Sequence, residues 1–205
     1  VLLSCAVGTA FADKLLISMD QDQTDHLKAY GIAFFALKRG VDVDWLLNYR
    51  GGSFMMDHVD AVAQEARLRG VATGRIRESE AAQIVAEMAE KNMDAVRLEK
   101  APRIAVYTPP DKRPWDDAVT LAMTYAEISY DTVWDEEVLT GKLSDYDWIH
   151  LHHEDFTGQY GKFYASYGQQ LWYRQQQAQY EAAARKLGFG KVSEEKRGVA
   201  RAIRD

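Results

Sequence analysis

Short apolar runs alternate with longer amphipathic stretches along this chain, and that alternation restricts the fold more than any other feature. Strand, helix and strand joined by short connections build an α/β sheet. "KLLISM" (14–19) reads as a strand that Asp20 ends. "TDHLKAYGIAFFALKRG" (24–40) reads as a helix with Leu27, Tyr30, Phe34 and Leu37 on one face and Gly40 at its stop. "VDVDWLLN" (41–48) is then a second strand, which predicts a parallel pair with a right-handed crossover. A polar helix over 57–69, a strand "VATGRI" (71–76) and a helix "SEAAQIVAEMAE" (79–90) with Ile84, Val85 and Met88 inward and Ser79 as cap follow.

"KNMDAVRLEKAPR" (91–103) breaks the rhythm and marks a boundary, behind which the cycle starts again. "RIAVYT" (103–108) is a strand and "WDDAVTLAMTYAEI" (115–128) a helix with Trp115, Val119, Ala122, Met123 and Ala126 on one face. "YDTVW" (130–134) is the next strand, "DEEVLTGKL" (135–143) a short helix, and "DYDWIHLH" (145–152) the third strand. The stretches beyond it are helical. The expectation is an α/β chain of two successive strand-helix-strand units with parallel sheets, 13–100 and 101–205, followed by C-terminal helices.

With 205 residues and 47% hydrophobic composition the chain can bury a full core. A net charge of -6 without a Lys/Arg cluster gives no stripe for a phosphate backbone, so nucleic acid is not an expected partner. The basic run "KLGFGKVSEEKRGVARAIR" (186–204) is interleaved with Glu194 and Glu195 and reads as a solvated helical face. A single cysteine, Cys5, leaves no internal disulfide.

The first twelve residues, "VLLSCAVGTAFA", look like the end of a secretory signal. Leu2, Leu3, Ser4 and Cys5 resemble a lipobox with Cys5 as lipid anchor, and Ala10-Phe11-Ala12 fits an A-x-A cleavage site. Either reading predicts a cell-envelope location, and no stretch approaches the ~18 apolar residues of a membrane span.

Ligands of open parallel α/β sheets bind beyond the carboxyl ends of the strands. Three loops are expected there. The first holds Asp20, which could orient a ligand or cap the next helix. The second, "NYRGGSF" (48–54), offers Asn48, Arg50, Gly51 and Gly52 for a carboxylate or phosphate, although a plain turn explains two glycines equally well. The third, within "DYDWIHLHHED" (145–155), supplies His152, His153 and Glu154 as general acid and base, with Asp155 and Thr157 as ligand-binding neighbours. A metal alternative uses His150, His152 and Glu154 as nitrogen and oxygen donors. No cofactor is implied. Tyr160, Tyr164 and Trp172 are candidate pocket walls in an aromatic, amide-rich segment.

The stretches "DHLKAYGIAFFALKRGVDVDWLLNYRGGSF" (25–54), "LEKAPRIAVYTP" (98–109), "PWDDAVTLAMTYAEI" (114–128), "VWDEEVL" (133–139) and "YDWIHLHHEDFTGQYGKFYASY" (146–167) resemble a family of bacterial envelope proteins labelled asparagine synthetase B. The second half also looks like the opening of a class I glutamine amidotransferase-like, flavodoxin-like α/β domain that stops before its nucleophile strand. The resemblance implies an amidotransferase-like hydrolase acting on a small amide or peptide, its nucleophile beyond residue 205. A non-catalytic small-molecule-binding module and a metal-dependent hydrolase are the alternatives. ATP-dependent asparagine synthesis is not implied, because neither an N-terminal Cys nucleophile nor an S-G-G-x-D-S loop is present.

Overall fold

The computed structural model describes residues 13–110, 117–151 and 165–205. The chain divides into two compact units at Ala101 and Pro102, with Ala122–Ile128 grouped with the first. Expectations for residues 1–12, for Trp115 and for 152–164 lie outside the described residues.

The first unit runs β1 (Lys14–Ile17), α1 (His26–Lys38), β2 (Val43–Leu46), β3 (Ser53–Asp57), α2 (Asp60–Leu68), β4 (Gly74–Ile76), α3 (Glu78–Glu90) and β5 (Ala95–Leu98). Its sheet has the order β4-β1-β3-β2-β5, and every neighbouring pair is antiparallel. This corrects the parallel sheet expected of the first unit. β1 and β2 point the same way, but "SFMMD" forms β3 and inserts between them, with Leu46 opposite Ser53 and Val43 opposite Met56. The first four strands and two helices make the split βαβ, ferredoxin-like arrangement, which α3 and β5 extend.

Strand alternation divides the core between the two faces of this sheet. Leu15, Ile17, Val43, Phe54 and Met56 pack with Ala29, Ile32, Ala33 and Ala36 of α1 and Val62, Ala63 and Ala66 of α2. Leu16, Leu46 and Met55 point the other way, onto Ala81 and Met88 of α3. Fully burying one such aliphatic side chain contributes about 1.5–3 kcal/mol.

The helices depart from their expected faces in detail. Leu27 and Tyr30 of α1 are exposed, because the small-residue face of Ala29, Ala33 and Ala36 is what lies against the sheet, while Val85 of α3 is exposed as well. Asp25, rather than Asp20, caps α1 by accepting from the Lys28 N–H at 3.0 Å. Ser79 lies inside α3, whose first turn is closed instead by Glu80 accepting from the Arg77 N–H at 2.8 Å. The expected break at 91–103 holds β5, an exposed edge strand whose Arg97 pairs with Asp42 and Asp44.

The second unit runs β6 (Ile104–Tyr107), α4 (Ala118–Tyr125), β7 (Asp131–Val133), α5 (Asp135–Leu139), β8 (Trp148–Leu151), α6 (Leu171–Lys186) and α7 (Val192–Arg204), with α4 shared between the units. Its sheet is parallel, in the order β7-β6-β8. Ile104 is opposite Trp148 and Ala105 opposite Asp131. The chain goes from β6 to one neighbour and returns across it to the other, which makes the carboxyl ends of β6 and β8 a topological switch point. Ala105, Tyr107, Val133, Val138 and Val199 form the buried centre, with Trp134, Leu139, Ile149 and Ile203 packed around it.

The C-terminal helix keeps Glu194, Arg197, Arg201 and Arg204 exposed, as expected of a solvated charged face, but buries a stripe opposite them. Val199 and Glu195 of α7 are both fully buried. Among the described residues no helix is long and apolar enough to cross a membrane.

Candidate functional site

The expected loop of the first unit is built around one close approach. Gly51 has φ +84°, and a Cβ there would stand 2.3 Å from the Met19 carbonyl oxygen, so only glycine lets this turn pack beneath β1. The Met19 N–H donates to the Arg50 carbonyl at 3.0 Å, and the Trp45 indole N–H to the Gly52 carbonyl at 3.1 Å. Asn48 and Arg50 also take left-handed backbone conformations.

Asp20 does meet this loop. The Arg50 Nε donates to Asp20 Oδ2 at 2.6 Å and its Nη2 to Asp22 Oδ2 at 2.7 Å. The guanidinium holds the Asp20 carboxyl below the usual carboxylate range, and Asp20 in turn raises Arg50. Asp20, Asn48, Arg50, Gly51 and Gly52 are thus brought together, with the cation already engaged by two carboxylates.

His152, His153, Glu154, Asp155 and Thr157 lie outside the described residues, as do Tyr160 and Tyr164. His150 is described, and its partner is one the sequence did not suggest. Its Nε2 lies 2.6 Å from Asp117 Oδ2. Asp117 is buried and caps α4, accepting from Thr120 N–H at 3.1 Å and Val119 N–H at 3.4 Å. Burial pushes its carboxyl up, but the Thr120 amide and the His150 ring outweigh burial and hold it below the ordinary range. Among the described residues no group of three or more His, Cys, Asp or Glu could hold a metal.

A second polar cluster lies at the carboxyl ends of β6 and β7. The Tyr107 hydroxyl donates to Asp135, the first residue of α5. Lys196 of α7 donates to the Tyr107 oxygen at 3.0 Å and to Asp135 at 3.1 Å. The ammonium also stands 3.7 Å from the centre of the Trp134 ring, on which Tyr107 stacks at 4.6 Å. Such a desolvated cation–π contact is worth up to about 2 kcal/mol.

Glu195 is the exceptional member. It is 1% exposed, and its Oε1 has no hydrogen-bond partner among the described residues. Desolvation first, then the charge of Asp135 and a hydrogen bond shared with it, push its carboxyl up to about 7, against the opposing pull of Lys196. The neutral acid keeps its proton and shares it with Asp135 as a hydrogen bond.

Glu195 is also one of the residues lining a cavity of ≈370 Å³. Trp134, Asp135 and Glu136 at the start of α5, Tyr180 and Ala183 of α6, and Glu195 form its wall. The volume falls in the range of small-molecule sites, about 300–1,000 Å³. Trp172, an expected pocket wall, is half exposed and packs instead with Tyr167 and Tyr173 at ring distances of 5.6 and 5.8 Å.

Sequence reasoning missed Glu195 because its neighbours are charged. The signal was present in helical spacing, since Val192, Glu195, Val199 and Ile203 fall on one stripe and place an acid in an otherwise apolar seam. No family model, curated protein or solved structure matches this chain.

Proposed function

We propose that the protein binds a small molecule through its second unit, in the cavity beside Trp134, Tyr180 and Glu195. The observation that carries this reading is a ligand-sized cavity with aromatic and apolar side chains and a buried acid, Glu195, in its wall. The cavity also borders the carboxyl ends of parallel strands, where α/β sheets bind ligands. A fragment screen by ligand-observed NMR tests it. Saturable binders lost in Ala183→Trp, which fills the cavity, are expected, and a screen without any such binder contradicts the reading.

A second reading, the amidotransferase-like hydrolase that the resemblance implies, is favoured by the Asp117–His150 pair. A histidine oriented by a buried carboxylate is the base half of a nucleophilic constellation. The nucleophile would come from chain beyond residue 205, and His152, His153 and Glu154 would assist. Ammonia release from glutamine or a small amide by the longer protein, abolished in His150→Ala with folding retained, is the expected result. Equal rates with and without His150 remove this reading. The envelope location, with Cys5 lipidated or cleavage after Ala12, goes with either reading, and mass spectrometry of the mature N-terminus checks it.

A further inference from the structure

We infer that α7 is a proton-controlled latch, docked on α5 and β6 while Asp135 and Glu195 share one proton, and released from the second unit as a separate element once that proton leaves. The release stands whether or not the cavity holds a ligand.

The hold on α7 is small, and one of its two anchors is an acid. Of the thirteen residues of α7 only Val199 and Glu195 are buried. Val199 enters the core with Ala105, Tyr107, Val133 and Val138, and Ile203 packs at its edge. At the other end Glu195 and Lys196 meet Asp135 and Tyr107. Residues 187–191 join α7 to α6 and include Gly188 and Gly190, so α7 has a short, permissive connection about which to turn.

Carboxyls outnumber cations where α7 docks. Asp135 and Glu195 are 3% and 1% exposed, and one ammonium, that of Lys196, stands 3.1 Å from Asp135. The Tyr107 hydroxyl of β6 donates to Asp135 as well. The neighbouring charges are engaged elsewhere. Glu136 of α5 pairs with Lys186 of α6 at 2.8 Å, and Glu137 of α5 accepts from the Trp134 N–H at 3.0 Å and faces Lys142 at 3.9 Å. From α6 the Tyr180 ring lies 6.0 Å from the Lys196 ammonium, and Glu194 of α7 points to solvent. Two adjoining buried carboxyls that face one ammonium disfavour ionisation of both.

The sign of the coupling follows. Docked, Glu195 is pushed up to about 7 by burial and by Asp135, and released into water it returns to the ordinary 4.5 and gives its proton to solvent. Docking therefore takes up a proton between these values, so the hold on α7 is complete below 4.5 and is lost as pH rises through 7. Glu136 is lowered and Lys186 raised by their mutual pairing, so neither changes charge between pH 5 and 8. Release takes Glu195 from the cavity wall and bares Tyr107, Trp134 and Asp135 at the carboxyl ends of the parallel strands.

Amide hydrogen exchange of the unaltered protein at pH 5 and pH 8, read by mass spectrometry and corrected for intrinsic exchange rates, tests the latch. Protection of α7 (Val192–Arg204) should fall about 70-fold between the two, the ratio that values near 4.5 and 7 set. At both pH values α7 should exchange ahead of β6 (Ile104–Tyr107), because it opens without global unfolding. Glu195→Gln, which has no proton to lose, should keep α7 protection nearly constant across the range. Exchange of α7 and β6 in step would show that α7 leaves only when the whole unit unfolds, and would overturn the release. Equal α7 protection at pH 5 and pH 8, or a fall that survives in Glu195→Gln, would overturn the control by this proton. The comparison of α7 with β6 and of the two pH values needs no variant, so the latch can fail even if Glu195→Gln does not fold.

Discussion

Arg50 in the first unit and Glu195 in the second are both titratable residues that their folds hold tightly, yet they are held in opposite ways. Arg50 meets Asp20 and Asp22 at 2.6 and 2.7 Å on a surface open to water, and its loop owes its shape to glycines that approach a backbone carbonyl. Glu195 is sealed from solvent, pressed against Asp135, and belongs to the wall of a cavity. A satisfied surface pair is explained by the turn it closes. A buried acid pressed against a second carboxyl is not explained by a turn or by a surface pair. Polar residues in a loop after a strand are therefore weaker pointers to function than one polar residue set in an apolar seam.

The largest test of this contrast is to remove the cation that balances the buried cluster. Lys196→Met should cost about 3–5 kcal/mol, because it leaves the Asp135 carboxylate buried with only Tyr107 and Glu195 as donors. Urea denaturation followed by tryptophan emission reads this, since Trp134 lies directly beneath the ammonium. A loss below about 1 kcal/mol, the size of a surface pair, would mean that the cluster is well hydrated.

The next effect is a pH dependence with a fixed sign. Glu195 titrates at about 7 in the folded chain and near 4.5 when unfolded, so the folded state keeps the proton longer. Its contribution is complete below the unfolded value and is lost as pH rises through 7, amounting to roughly 3 kcal/mol. Asp117 acts in the opposite sense, because its lowered carboxyl contributes at higher pH and fails only as acid protonates it. Denaturation at pH 5 and pH 8 isolates Glu195. Stability should fall between the two, and the Glu195→Gln protein should show little of that fall. An equal fall in the variant would assign the slope elsewhere.

Gly51→Ala sharpens the other side of the comparison. The added Cβ would lie 2.3 Å from the Met19 oxygen on a residue with positive φ, so a loss of about 1–3 kcal/mol is expected from strain. A variant as stable as the parent would show that this turn yields easily. Smallest of all is Arg50→Gln, whose partners stay solvated once it is gone. Its melting temperature should barely move, and a large drop would give the first-unit loop a role that the structure does not.

The parallel half of the fold was legible because "RIAVYT" is an apolar run, as a strand covered on both faces must be, and "YDTVW" and "YDWIHL" follow it at strand-helix-strand spacing. The antiparallel half was not, for two local reasons. "SFMMD" directly follows the glycine turn, so β3 merged with the loop before it and the polar helix after it. β5, "AVRL", is largely exposed at a sheet edge, so it lacks the alternation that burial imposes. The site was partly legible. His150 was named as a strand residue with chemistry, but Asp117 lies 33 residues earlier and only the parallel register brings the two together. Glu195 was hidden by Glu194, Lys196 and Arg197, whose charges masked the stripe it shares with Val192 and Val199.

The most direct measurement is the titration of Glu195 itself. Side-chain carboxyl carbons of 13C-labelled glutamate can be followed by NMR from pH 4 to pH 9, with the Glu195→Gln protein identifying the resonance. A midpoint near 7 is expected for that one carboxyl. A midpoint near 4.5 would show Glu195 hydrated, and would contradict a carboxyl sealed from solvent against Asp135.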